Sequence, residues 1–195
     1  MKRKDPRLPY QTILITGSKH SGKTLCAKAL GKIMNVDAVD LDDIVKKYSG
    51  KTPRVLFEES AEIFRMAEKQ ALSSIIQPAE SDLDFFGRQS LRIIAAGGGL
   101  IDNADAMALL HDHPEIIIVY LDVSAETAWQ RILRTADGGE LPPFLNTENP
   151  KETHLALHKR RSDAYKKPAG LIIAANNKSP EEIAGEIVKH LNPEI

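Results

Sequence analysis

Residues 17–24 read GSKHSGKT, directly after the β-branched, apolar run TILIT at 12–16 and directly before helix-forming residues. The stretch fits the pattern GxxxxGK[ST], in which glycines let the chain curl until successive backbone N–H groups converge on one anion-sized hollow. A helix starting near Gly22 adds the positive end of its dipole to that hollow. Gly17, Ser18, Lys19, His20, Ser21 and Gly22 are then a cradle for a polyphosphate. Lys23 reaches its outer phosphates, and the Thr24 hydroxyl is a magnesium ligand. An ordinary glycine-rich strand-to-helix turn would not need all four fixed positions, and all four are present.

A second group of candidates follows VDLDD at 39–43, where Asp40 falls 17 residues after Lys23. Strand ends in open α/β sheets face the ligand crevice. Alternation along an extended chain puts Asp40 and Asp42 on one side, so that one holds hydrated magnesium while the other accepts a hydrogen bond from a substrate hydroxyl. Capping of the next helix is the competing role for Asp42 or Asp43. Further on, Arg65 and Glu68 stand three apart on one helical face, as a solvated ion pair or as a guanidinium receptor for a carboxylate with Glu68 orienting it. Gly97, Gly98 and Gly99 end a third strand and permit close backbone approach to a ligand, or simply a tight turn. Lys159, Arg160 and Arg161 form a basic run on a late helix, a pattern that is most often a solvent face.

The elements that must position these residues are legible in outline. Five β-rich runs occur at 12–16, 36–40, 92–96, 115–123 and 170–175, separated by helical or polar stretches. Near-continuous apolar runs and long connections predict a parallel sheet covered on both faces. Ser179, Pro180 and Glu182 predict a capped helix to Leu191, Ser124 one through Arg134, and Asp102 or Asn103 one through His111. The segments 77–89 and 135–152 are rich in turn formers, the second placed where a lid over the site would lie.

A chain of 195 residues suits a single domain spanning 1–195, and its formal net charge of −1 supplies no basic field for nucleic acid or membrane. Cys26 is the only cysteine, which rules out an intrachain disulfide, and helical periodicity turns it toward the core. With no apolar stretch of signal or transmembrane length, the expectation is a soluble, cytoplasmic, monomeric protein whose partners are small molecules.

Taken in order, GSKHSGKT, DLD, FRMAE, GGG and an arginine followed four residues later by tyrosine resemble the shikimate kinase family, over residues 12 to about 191. The resemblance implies a three-layer α/β/α P-loop kinase fold with a five-stranded parallel sheet, a mobile lid near 135–152 and a substrate-binding helical region near 41–77. It also implies transfer of the ATP γ-phosphoryl group to the 3-hydroxyl of shikimate, with Mg2+, in aromatic amino-acid synthesis. Lys23 and Asp42 would be catalytic, Asp42 binding the reacting hydroxyl. Arg65 and Arg161 would grip the carboxylate, Gly98 and Gly99 line the substrate, Asp40 support magnesium through water, and Arg131 lie against the adenine. The family's lid arginine has no counterpart here, since ELPPFL stands in its place and no arginine occurs from 135 to 152. Arg134, then Lys151, are the candidate replacements. A kinase for another small hydroxylated acid and a non-catalytic nucleotide-binding protein are the alternatives.

Overall fold

The computed structural model describes residues 11–77, 91–136 and 141–191. In chain order, β1 (Thr12–Thr16) leads through the glycine-rich loop into α1 (Lys23–Met34), then β2 (Ala38–Asp40), α2 (Leu41–Ser49), α3 (Pro53–Glu59) and α4 (Ala61–Ile76). After them come β3 (Arg92–Ala95), a 3-10 turn (Leu100–Asp102), α5 (Ala104–His111), β4 (Ile116–Asp122) and α6 (Ala125–Ala136). A second 3-10 turn (Pro143–Leu145), α7 (Pro150–Lys166), β5 (Leu171–Ala174) and α8 (Pro180–Leu191) complete the described residues. All five predicted strands are present, each within its predicted run. The 77–89 segment, apart from Gln77, and residues 137–140 of the 135–152 segment lie outside the described residues.

The strands form one parallel sheet in the order β2-β3-β1-β4-β5. β1 is central and every one of its residues is buried, as expected for a strand covered on both faces. Alternation divides its side chains between two cores. Ile13 and Ile15 join Leu30 of α1 and Ile187 of α8, whereas Leu14 faces Leu41 and Ile44 of α2 and Leu72 of α4. Cys26 is fully buried in the first of these cores. A smaller cluster of Trp129, Ile132 and Leu145 ties α6 to the second 3-10 turn and receives Leu141 and Phe144.

The predicted caps are made. Ser179 and Glu182 form a reciprocal capping box at 3.1 and 2.7 Å. The Ser124 hydroxyl accepts from Thr127 N–H at 3.1 Å, and Asn103 accepts from Ala106 N–H at 3.2 Å. Of the two residues offered for the cap of α5, Asn103 takes it, leaving Asp102 free for the site.

Candidate active site

The loop between β1 and α1 is held in a shape that only part of it can adopt freely. Gly17 has φ 150°, and a Cβ there would stand 2.7 Å from Ser21 Oγ and 3.0 Å from the Leu121 carbonyl. Gly22 has φ 99° and caps α1 with no side-chain hydrogen bond, so the first N–H groups of the helix are left for a ligand. His20, between them, is left-handed at φ 61°. Two buried hydroxyls of the loop, on Ser18 and Ser21, have no hydrogen-bond partner among the described residues. The buried Lys23 ammonium donates to the Ser18 carbonyl at 2.9 Å. Burial lowers its pKa to about 8, against the attraction of Asp42 and Asp40. Thr24 Oγ1 donates to Asp40 Oδ2 at 2.7 Å. Orphaned hydroxyls, free helix N–H groups and a lysine fit a polyphosphate. A hydroxyl and a carboxylate in contact fit a magnesium ion that keeps most of its water.

Arg131, expected against the adenine, reaches the phosphate loop. Its Nη1 donates to the carbonyls of His20 and Ser21 at 3.1 and 3.3 Å, and it does not line the cleft.

Asp40 and Asp42 both reach the cleft, but not by strand alternation. β2 ends at Asp40, which is the N-cap of α2 and accepts from Asp42 N–H at 3.0 Å, so Asp42 sits in the first helical turn. The competing capping role thus belongs to Asp40, and a helical turn presents Asp42. Burial raises the Asp42 carboxyl above the ordinary value, with repulsion from Asp40 adding and attraction to Lys23 and Lys19 opposing.

The glycine triplet packs against three different parts of the site. A Cβ on Gly97 would lie 3.0 Å from Glu68 Oε1 and 3.3 Å from Asp42 Oδ1. One on Gly98 would lie 2.9 Å from Lys19 N, and one on Gly99 would lie 3.2 Å from Arg161 Nη2. The triplet lets the acceptor carboxyls, the phosphate loop and the basic helix converge on one cleft of about 490 Å3, which Gly97, Gly98 and Gly99 all line.

Arg161 lines that cleft from α7, and its partner was not legible in the sequence. Its Nε and Nη2 donate to Asp102 Oδ2 at 2.9 and 2.7 Å, while Nη1 reaches the Gly98 carbonyl at 3.3 Å. Arg160 forks onto the same carboxylate at 2.8 and 3.0 Å. Burial alone would raise the Asp102 carboxyl, but the hydrogen bonds and charges of the two arginines hold it below its ordinary value. Four residues on, the Tyr165 hydroxyl accepts from Ile101 N–H at 3.2 Å and donates to the Gly97 carbonyl at 3.4 Å, pinning the glycine turn to α7.

Arg65 is solvent-exposed and is not among the residues lining the cleft. Nor does Glu68 bind its guanidinium. Glu68 is buried, with Oε2 accepting from Asn103 Nδ2 at 3.0 Å and Oε1 without a partner among the described residues. Burial raises this carboxyl to about 7 from an ordinary 4.5, the Asn103 hydrogen bond opposing. Between those values the folded chain holds the proton and the unfolded chain does not. Glu68 therefore contributes stability that is fully present below about pH 4.5 and lost as pH rises through about 7. Glu68→Gln should remove this dependence, so that urea unfolding at a series of pH values finds the variant gaining on the parent by on the order of 2 kcal/mol between acid and alkaline conditions. Parallel stability profiles would show that the carboxyl titrates normally.

The cation offered for the lid is not Arg134, which is exposed and off the cleft. Nor is it Lys151, which pairs with Glu126 at 3.1 Å. From the 135–152 segment Thr135, Pro142 and Phe144 line the cleft, with Lys19 Nζ and Arg161 Cζ each 5.9 Å from the Phe144 ring centroid.

A family model described as shikimate kinase matches residues 19–192. A shikimate kinase from Parasynechococcus marenigrum is 31% identical over 186 residues, covering 95% of this chain and 88% of that protein. One from Marinomonas sp. is 26% identical over 188 residues, covering 94% and 95%. Among solved structures, a shikimate kinase from Acinetobacter baumannii in complex with shikimate superposes with a TM-score of 0.75 at 26% identity, covering 93% of this chain and 92% of that one.

Proposed function

Because the chain belongs to the shikimate kinase family, we propose that it transfers the γ-phosphoryl group of ATP to the 3-hydroxyl of shikimate, giving 3-phosphoshikimate and ADP. The observation that carries this reading is the meeting, in one cleft, of a phosphate loop with Lys23 and Thr24, an acceptor carboxylate at Asp42 and a carboxylate receptor at Arg161.

In this reading the loop N–H groups and the Ser18 and Ser21 hydroxyls bind the phosphates, and Lys23 leaves the Ser18 carbonyl to meet them. Thr24 and Asp40 would hold Mg2+, which would supply neutralisation of charge on the phosphates. Arg161 binds the shikimate carboxylate, which takes the place of Asp102 on part of the guanidinium, and Gly98 and Gly99 shape the floor beneath the ring. Asp42 accepts the hydrogen bond of the reacting hydroxyl. As the bond from that oxygen to the γ-phosphorus forms and the bond from the phosphorus to the β,γ-bridging oxygen breaks, the hydroxyl proton passes to Asp42. Catalysis rests on positioning and on charge neutralisation. Residues 1–195 act as one domain, with 41–77 forming the substrate-binding helical region and 135–152 the lid over the active site. The protein works as a cytoplasmic monomer supplying aromatic amino-acid synthesis, and Arg131 supports the nucleotide end through the loop.

A coupled assay with purified protein, ATP, Mg2+ and shikimate tests the activity directly. Shikimate should stimulate ADP release, and the product should carry phosphate at the 3-position. Stimulation by another hydroxylated acid in its place would reassign the acceptor, and ATP binding without turnover for any acid would make the protein a nucleotide-binding member of the family. Arg161→Ala should raise the KM for shikimate by about a hundredfold, through loss of a charge-assisted contact, with the KM for ATP nearly unchanged. Arg65→Ala, whose guanidinium must swing in from solvent, should raise it by about tenfold. If both variants titrate like the parent, neither arginine meets the carboxylate.

A further inference from the structure

Lys19 leaves the phosphate loop at a point fixed by its own backbone, since a Cβ on Gly98 would lie 2.9 Å from Lys19 N and 3.2 Å from its Cα. Its side chain lines the cleft between the loop and Asp42. Among the described residues its ammonium makes no hydrogen bond and no ion pair, and its one close partner is the Phe144 ring, 5.9 Å away. That separation is at the limit of a cation–π contact. Burial lowers the Lys19 pKa, the charge of Asp42 opposes this, and that of Arg54 adds to it.

The surrounding cations are otherwise engaged. Of the cleft's lysines and arginines, Lys23 is bonded to Ser18, Arg54 to Glu58 and Arg161 to Asp102. A positive charge near a phosphate loop and the Asp42 carboxylate, with an aromatic ring as its one contact among the described residues, is poised for an anion that is present only when substrates are bound. Phe144 belongs to the apolar cluster with Trp129, Ile132 and Leu145, so the ring's place over Lys19 is set by packing.

We propose that Lys19 is a second catalytic cation, contacting the phosphoryl group as it passes from the nucleotide to the acceptor hydroxyl at Asp42, with Phe144 of the lid holding the ammonium in place. This assignment rests on the phosphoryl-transfer reading above. Lys23 serves the phosphates from inside the loop, and Lys19 serves the transferred group from the acceptor side. Charge spreads over the equatorial oxygens of that group in the transition state, so a cation placed there acts on kcat more than on ground-state binding.

The test uses the full chain with two variants, Lys19→Met, which keeps length and loses charge, and Lys19→Arg, which keeps charge. Lys19→Met should lower kcat for shikimate phosphorylation about a hundredfold with the KM for ATP within about threefold, and Lys19→Arg should stay within about tenfold of the parent. In parallel, calorimetry with Mg2+, ADP and fluoroaluminate, a mimic of the planar phosphoryl group, should find Lys19→Met weakened by about thirtyfold while ADP alone binds as before. A kcat within about threefold of the parent in Lys19→Met, or equal loss of ADP and ADP–fluoroaluminate affinity, would overturn the proposal. Should the parent itself fail to phosphorylate shikimate, the acceptor assignment falls, and the fluoroaluminate comparison still decides the role of Lys19.

Discussion

Lys23→Met should give a folded protein whose turnover falls by about a thousandfold and which, without nucleotide, unfolds at a higher temperature than the parent. The two halves of that result have one cause. The ammonium is buried, and among the described residues its one hydrogen-bond partner is the Ser18 carbonyl, so the nucleotide-free protein carries the cost of a charge that phosphates compensate more fully. Burial brings the pKa down from 10.5 to about 8. Between those values the unfolded chain holds the proton and the folded chain does not, so stability rises with pH across that window, and the cost is fully present below about pH 8. Methionine fills similar volume without the charge, and the Ser18 carbonyl keeps a partner in Ser21 N–H at 3.1 Å. The gain should be on the order of 1–3 kcal/mol at neutral pH and should fade as pH rises. Thermal unfolding of both proteins from pH 7 to 10.5, with turnover measured beside it, reads both halves. Near-normal turnover would remove Lys23 from the phosphate site, and a less stable variant would mean that the loop itself compensates the lysine without nucleotide.

The same residue shows what a local pattern makes legible. Gly17, Gly22, Lys23 and Thr24 act within one turn of chain, so spacing alone predicts the loop and the start of α1 at Lys23. The caps at Ser124, Asn103 and Ser179 are equally local, each a side chain closing on an N–H three residues ahead. The five strands were legible from apolar runs, with ends trimmed where pairing with a neighbour stops, as at β2, which is three residues long against the five predicted.

What the sequence hid is the product of distant contacts. Arg161 meets Asp102 from 59 positions away, and Asp102 read only as a possible helix cap. Lys19 and Phe144 lie far apart in the chain, and spacing carries no signal that brings them together. Glu68 stands three residues from Arg65, a spacing that suggests an ion pair, yet packing turns the carboxyl inward to Asn103 and leaves the arginine in solvent. Asp42 reached the expected place for a different reason, because Asp40 caps α2 and ends the strand one residue earlier than alternation requires.

Asp42→Asn isolates the other large effect. The amide keeps the shape and can still donate or accept a hydrogen bond, but it does not take the proton of the reacting hydroxyl, so kcat should fall by about 10²–10³-fold with the KM for shikimate raised only a fewfold. The pH profile separates loss of a base from loss of a contact. Burial, with Asp40 adding, raises the Asp42 carboxyl above its ordinary value, so the carboxyl stays protonated, and inactive as a base, to a higher pH than a free aspartate. The acid limb of kcat/KM in the parent should accordingly lie above the ordinary aspartate range, and it should be absent from the Asn variant. Glu68 is the neighbouring carboxyl with a raised pKa, and its Oε1 and Asp42 Oδ1 both crowd Gly97. Glu68→Gln serves as the control, since the limb should persist there with little displacement, Glu68 being protonated and uncharged below about pH 7. A limb retained in Asp42→Asn and abolished in Glu68→Gln would transfer the role of base to Glu68, whose unpartnered Oε1 already faces the glycine turn.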